Sequence, residues 1–164
     1  MSSTILRVLL DSTYLLPSLG IEVEGISNEH IVRLMEAAAR RRVKFCCLTA
    51  SWVEVIGKVC REAQRLKLDL KEILDIPLKS LVESGFYEWI GPTYQAVKLA
   101  FKLMMLGHRD NVDNLLYAMS ITNRMVFLTM DEELKGFLSR QGYETDNLLT
   151  HTQLLSRIER SEGK

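Results

Sequence analysis

Apolar positions along this chain fall into two periods. Ile5-Leu6-Arg7-Val8-Leu9-Leu10, Val43-Lys44-Phe45-Cys46-Cys47-Leu48 and Met125-Val126-Phe127-Leu128-Thr129 are short, dense runs with β-branched members. Such runs between polar breaks read as buried strands. Elsewhere the apolar residues recur every three or four positions, the spacing of a helix with one buried face. Ile31, Leu34, Met35 and Ala38 do so after Ser27, a cap candidate, with His30 at the third turn position. Trp52, Val55, Ile56, Val59 and Cys60 do so after Thr49 or Ser51, either of which is a cap residue type. Ala96, Val97, Leu99, Ala100, Leu103 and Met104 predict a helix from Thr93 to Leu106, closed by Gly107. Further helices are expected from Asp110 through Met119, from Asp131 to about Arg140, and from Thr150 or Thr152 to a frayed end at Ser161–Lys164.

Three segments carry weaker signals. Asp11-Ser12-Thr13 supplies capping side chains for a short helix that Pro17 and Gly20 stop. Leu66, Leu68, Leu70, Ile73 and Leu74 predict a helix ending before Pro77. Short strands are expected at Phe86–Ile90 and within Tyr143–Leu148. Strands that alternate with helical patterns argue for a parallel α/β sheet. No proline-rich linker, low-complexity tract or internal repeat divides the 164 residues, so one domain is expected, with a helical middle region at about 66–107.

Composition narrows the function classes. Hydrophobic residues make up 47%, enough for a real core and too many for extended disorder. The 21 basic and 21 acidic residues cancel, which argues against a protein that coats nucleic acid by net charge. Cys46, Cys47 and Cys60 lack C-x-x-C spacing and read as buried free thiols in a reducing compartment. No run reaches the length of a membrane span, and the first apolar run is too short for a signal segment. A soluble cytoplasmic protein is expected.

The candidate chemistry is acidic. Ligands of open α/β sheets bind beyond the carboxyl ends of the strands. Asp11 follows the first strand directly, and Asp131 follows the Val126–Thr129 run by two residues. Glu54 lies early in the helix after the second strand, and Asp113 one turn into the helix after Gly107. Topology alone can thus bring these four carboxylates, from four separate elements, together. Clustered carboxylates need a counter-charge, and hard divalent cations such as Mg²⁺ take oxygen ligands. Two such ions about 4 Å apart serve phosphodiester hydrolysis. No histidine sits in a zinc-like pattern. Against this stands the plain alternative that Asp11 and Asp131 are helix caps, and that Asp113 and Glu54 are solvated helix residues.

The motifs add a resemblance. Val8-Leu9-Leu10-Asp11-Ser12-Thr13 looks like the opening motif of the PIN-domain family, and Ser51-Trp52-Val53-Glu54-Val55 resembles its second. Asp113-Asn114-Leu115-Leu116-Tyr117-Ala118 is similar to the third and Phe127-Leu128-Thr129-Met130-Asp131 to the fourth. The likeness runs from about residue 5 to 149. It implies a single PIN-like domain over residues 1–164, a three-layer α/β/α sandwich with a central, mostly parallel sheet. It also implies a Mg²⁺- or Mn²⁺-dependent ribonuclease. In part of the family this is a toxin inhibited by a small antitoxin-like protein; other members process RNA. Carried over residue by residue, Asp11, Glu54, Asp113 and Asp131 are metal-binding acids, with Ser12 and Thr129 as supporting hydroxyls. Met130 departs from the polar or basic residue usual between the threonine and the last aspartate, and the Leu66–Ile90 segment is longer than in small toxin members.

Other residues stand near these in the sequence or the topology. Asp110 is a second candidate acid, more simply the cap of its helix, and Asn114 either orients a carboxylate or faces solvent. Arg40, Arg41, Arg42 and Lys44 precede the second strand and so lie at the opposite sheet edge, whereas Lys58, Arg61 and Arg109 lie nearer the acids. Trp52 is a candidate for stacking on a base, with packing the plainer role; of the histidines only His108 falls near a candidate acid. The apolar surplus around Leu99–Leu106 predicts a homodimer. A noncatalytic RNA-binding or scaffold module is the alternative function. A receiver-like or phosphatase reading fails for want of a second acid close behind Asp11 and a lysine after the last strands.

Overall fold

The structure, a computed structural model, describes residues 4–163. Its centre is a five-stranded sheet: β1 (Leu6–Leu10), β2 (Val43–Leu48), β3 (Glu88–Ile90), β4 (Val126–Leu128) and β5 (Leu148–Leu149). The strand order is β3-β2-β1-β4-β5. Every pairing is parallel, where the sequence led us to expect a mostly parallel sheet. Leu9 lies beside Cys46 on one side and Phe127 on the other, and Leu10 lies beside Leu128.

Side chains alternate across the sheet, as the two-residue period of a strand requires. Val8, Leu10, Phe45, Cys47, Val126 and Leu128 enter one core. Leu9, Cys46, Leu48, Phe127 and Leu148 enter the other. The first core is closed by a 3-10 helix (Ser12–Leu19), α1 (Asn28–Ala39), α2 (Trp52–Leu66), α3 (Leu70–Leu74), α4 (Ile76–Glu83) and α8 (His151–Glu162). The second is closed by α5 (Tyr94–Met105), α6 (Asn111–Thr122) and α7 (Glu132–Arg140). The molecule is thus a three-layer α/β/α sandwich. Among the described residues no helix is long and apolar enough to cross a membrane.

The chain steps outward from β1 to β2 to β3, then returns through α5 and α6 to place β4 on the other side of β1. The direction of winding therefore reverses between β1 and β4. That reversal opens a crevice at the carboxyl ends of these two strands, where ligands of such sheets bind.

Several local expectations are corrected. Pro77 does not stop a helix but starts one, at the first turn of α4, where the missing N–H costs nothing. The preceding helical signal splits, because Lys67 in the left-handed region ends α2 and Asp69 then caps α3. Neither Thr49 nor Ser51 caps α2: a 3-10 turn, Thr49–Ser51, leads straight into it, and Ser51 is fully buried with αR backbone. The last strand is only Leu148–Leu149, since Tyr143 packs edge-on against Tyr117 instead.

Candidate functional site

Each candidate acid reaches the crevice by a different route. Asp11 continues the β1 ladder, its N–H bonding to Leu128 O at 3.0 Å. It flanks the 3-10 helix but makes no side-chain capping bond, so the plain capping role does not apply to it. Glu54 and Asp113 stand in the first turns of α2 and α6, whose N-termini face this edge. Asp131 precedes α7 and caps it, Oδ1 accepting from Leu134 N at 2.9 Å. The capping role expected for Asp110 also holds, with Oδ1 accepting from Val112 N at 3.0 Å and Asp113 N at 3.1 Å.

A hydrogen-bond network ties the strand ends together. Thr129 Oγ1 donates to Asp11 Oδ2 at 2.9 Å and accepts from Asp131 N at 3.1 Å. Ser12, fully buried, donates to Glu54 Oε2 at 2.7 Å, with Asp11 Oδ1 at 3.3 Å. Lys58 Nζ, one turn past Glu54, reaches Glu54 Oε2 at 3.1 Å and Ser12 Oγ at 2.7 Å. Glu54 Oε1 is buried and has no hydrogen-bond partner.

Asp113 completes the cluster. The residue is 8% exposed, and among the described residues its carboxylate makes no hydrogen bond and no ion pair. One oxygen each from Glu54, Asp110 and Asp113 lie within 4.8 Å of one another. Burial, followed by the fields of Asp11, Asp110, Glu54 and Asp131, pushes the Asp113 carboxyl up to about 8. Burial also raises Asp11, against the lowering effects of the Thr129 hydroxyl and the Lys58 charge. All four predicted acids thus act on one spot. The tightest trio, however, includes Asp110 in place of Asp11 and Asp131.

Asn114 has neither of its expected roles. It is fully buried, with Oδ1 2.9 Å from His108 Nδ1 and Nδ2 donating to His108 O at 2.8 Å, and it pins the loop before α6. His108 is held there, beside the Phe137 ring. Trp52 stacks on Trp89 at 4.8 Å, the packing role. Arg42 pairs with Glu162 of α8, in keeping with a structural place for the basic run.

One grouping had no signal in the sequence. Tyr14, whose N–H bonds to Asp11 O at 3.0 Å, places its hydroxyl 2.9 Å from His151 Nδ1 and accepts from His151 N at 3.2 Å. The His30 ring lies 4.4 Å from that of His151. Residues 14, 30 and 151 share no spacing rule, and only the docking of α8 beside α1 brings them together.

No family model matches the chain, and no curated protein matches it. Among solved structures, the crystal structure of PAE2754 from Pyrobaculum aerophilum is similar. The likeness has a TM-score of 0.62 at 15% sequence identity and covers 95% of this chain and 91% of that one. At that identity it speaks for the fold alone.

Proposed function

We propose that this protein is a divalent-cation-dependent endoribonuclease with its site in the β1/β4 crevice. The observation that carries the reading is Asp113: a buried carboxylate with no partner, facing two further acids at a place where α/β sheets bind ligands. A carboxylate so placed is costly unless a proton or a cation neutralises it. The donors are all oxygen, which suits Mg²⁺ or Mn²⁺. Glu54, Asp113 and Asp110 would hold the ion, Asp110 through the oxygen its cap does not use, with Asp11 and Asp131 beside them adding to the negative field. Bound there, the cation would activate water and stabilise the leaving oxygen of a phosphodiester. Thr129 and Ser12 orient Asp11 and Glu54 for that task.

The choice of RNA rests on the motif resemblance to PIN domains, with which the parallel sheet and the converging acids are consistent. The same resemblance raises a toxin of a toxin–antitoxin pair, and the three free cysteines fit a cytoplasmic setting.

The test is RNA cleavage with and without Mn²⁺. Asp11→Asn and Asp113→Asn should each abolish divalent-dependent cleavage, a loss of at least about a hundredfold. Unchanged cleavage in both variants rejects the assignment. The noncatalytic scaffold reading gains from the fact that Asp11 and Glu54 are already bonded by protein groups. Calorimetry separates the two, because a scaffold gives no site-specific Mn²⁺ binding heat.

A further inference from the structure

Lys58 is out of the ordinary for a helix-surface lysine. Its side chain is 29% exposed, and its ammonium is turned back toward the 3-10 helix that follows β1. Nζ contacts Glu54 Oε2 at 3.1 Å, Ser12 Oγ at 2.7 Å and Thr13 Oγ1 at 3.4 Å. An ammonium has three protons to donate, and each has an acceptor here, all on the crevice side. A Glu–Lys pair four residues apart on an open helix is a weak, mobile contact; this one is fastened at both ends. Among the described residues Lys58 is also the only basic side chain paired with any of the five acids.

Its contacts divide Glu54 into two halves. Oε2 takes both the Ser12 hydroxyl and the ammonium, while Oε1 is buried and bare. A positive charge at hydrogen-bond distance from one ligand opposes the entry of a second, divalent, positive charge into the same small volume. Removing the lysine would free that field without releasing Glu54, because Ser12 still holds Oε2.

We propose that Lys58 is the resident counter-cation of the acid cluster, tempering the site's negative field and setting the divalent concentration at which it fills. This rests on the metal-site reading above. Lys58 acts through Glu54 and Ser12 and is a positioning residue, with a second effect through its charge.

The experiment is Mn²⁺ titration calorimetry on the full chain, paired with melting curves in chelator and in Mn²⁺. Lys58→Met keeps the methylene stem and removes the charge. It should bind Mn²⁺ roughly tenfold more tightly than wild type. It should also melt lower in chelator and gain more from Mn²⁺. Lys58→Arg, which keeps the charge, should restore wild-type affinity. The proposal is overturned if Lys58→Met binds Mn²⁺ no more tightly than wild type, or if Lys58→Arg behaves like Lys58→Met. Asp113→Asn separates the two levels. If wild type binds, Asp113→Asn does not and Lys58→Met equals wild type, only the role of Lys58 falls. If wild type gives no binding heat at all, the metal site falls with it.

Discussion

At the scale of single residues, Asp113 is where folding and function pull apart. Its carboxyl is raised to about 8, first by burial and then by its acidic neighbours. A raised carboxyl binds more protons in the folded than in the unfolded state, so its contribution is fully present below about pH 4 and is lost as pH rises through about 8. In metal-free protein, Asp113→Asn should therefore melt close to wild type near about pH 4 and at least a few degrees higher near about pH 8.5. An equal difference at both pH values, measured by scanning calorimetry in chelator, would contradict this. The residue scale also shows what patterns cannot convey. Asp11, Glu54 and Asp113 were legible because each occupies a topologically defined place after a strand or in a helix's first turn. Asn114 was misread because its partner, His108, is a matter of loop path, which no periodicity encodes.

At the scale of elements, charge at the site and helix capping share the same atoms. Asp131 caps α7 with one oxygen and lends its field to the crevice. Asparagine caps a helix nearly as well as aspartate, whereas alanine does not. Asp131→Ala should cost about 1 kcal/mol, roughly 2–4 °C in melting temperature, and Asp131→Asn much less. Both should weaken Mn²⁺ binding alike; thermal melts set beside calorimetry check this, and equal melting losses would show that the cap contributes nothing. The elements themselves were largely visible, since β1, β2 and β4 are dense apolar runs. The exception is the stretch from Lys67 to Glu83. There a helix end set by a left-handed lysine and a helix start set by Pro77 lie within one leucine-rich segment, and the apolar spacing alone runs across both.

At the scale of the molecule, the strand order follows from connections that the sequence only implies. The return over the second face through α5 and α6 is what puts β4 beside β1 and gives the acids a common edge. That return leaves α5 with an apolar outer stripe: Tyr94 is 75% exposed, Phe101 71% and Met105 86%. These residues fall on one helical face, at spacings of seven and four. The expected homodimer would bury this stripe. Sedimentation should then give a dimer at micromolar concentration, and Phe101→Glu with Met105→Glu a monomer. A wild-type monomer removes the dimer and leaves the stripe to a small protein partner.

The clasp between Tyr14 and His151 ties the turn that follows Asp11 to a remote stretch of chain. The phenol sits one turn beyond Asp11, yet its partner is the opening residue of the final helix. A polypeptide clipped just ahead of residue 151 would keep every acid and every strand. It would nonetheless take away the partner of the Tyr14 hydroxyl and uncover the part of the first core that Leu154 and Leu155 close. Cargo appended after α8 should leave that contact undisturbed, whereas trimming into α8 loosens it.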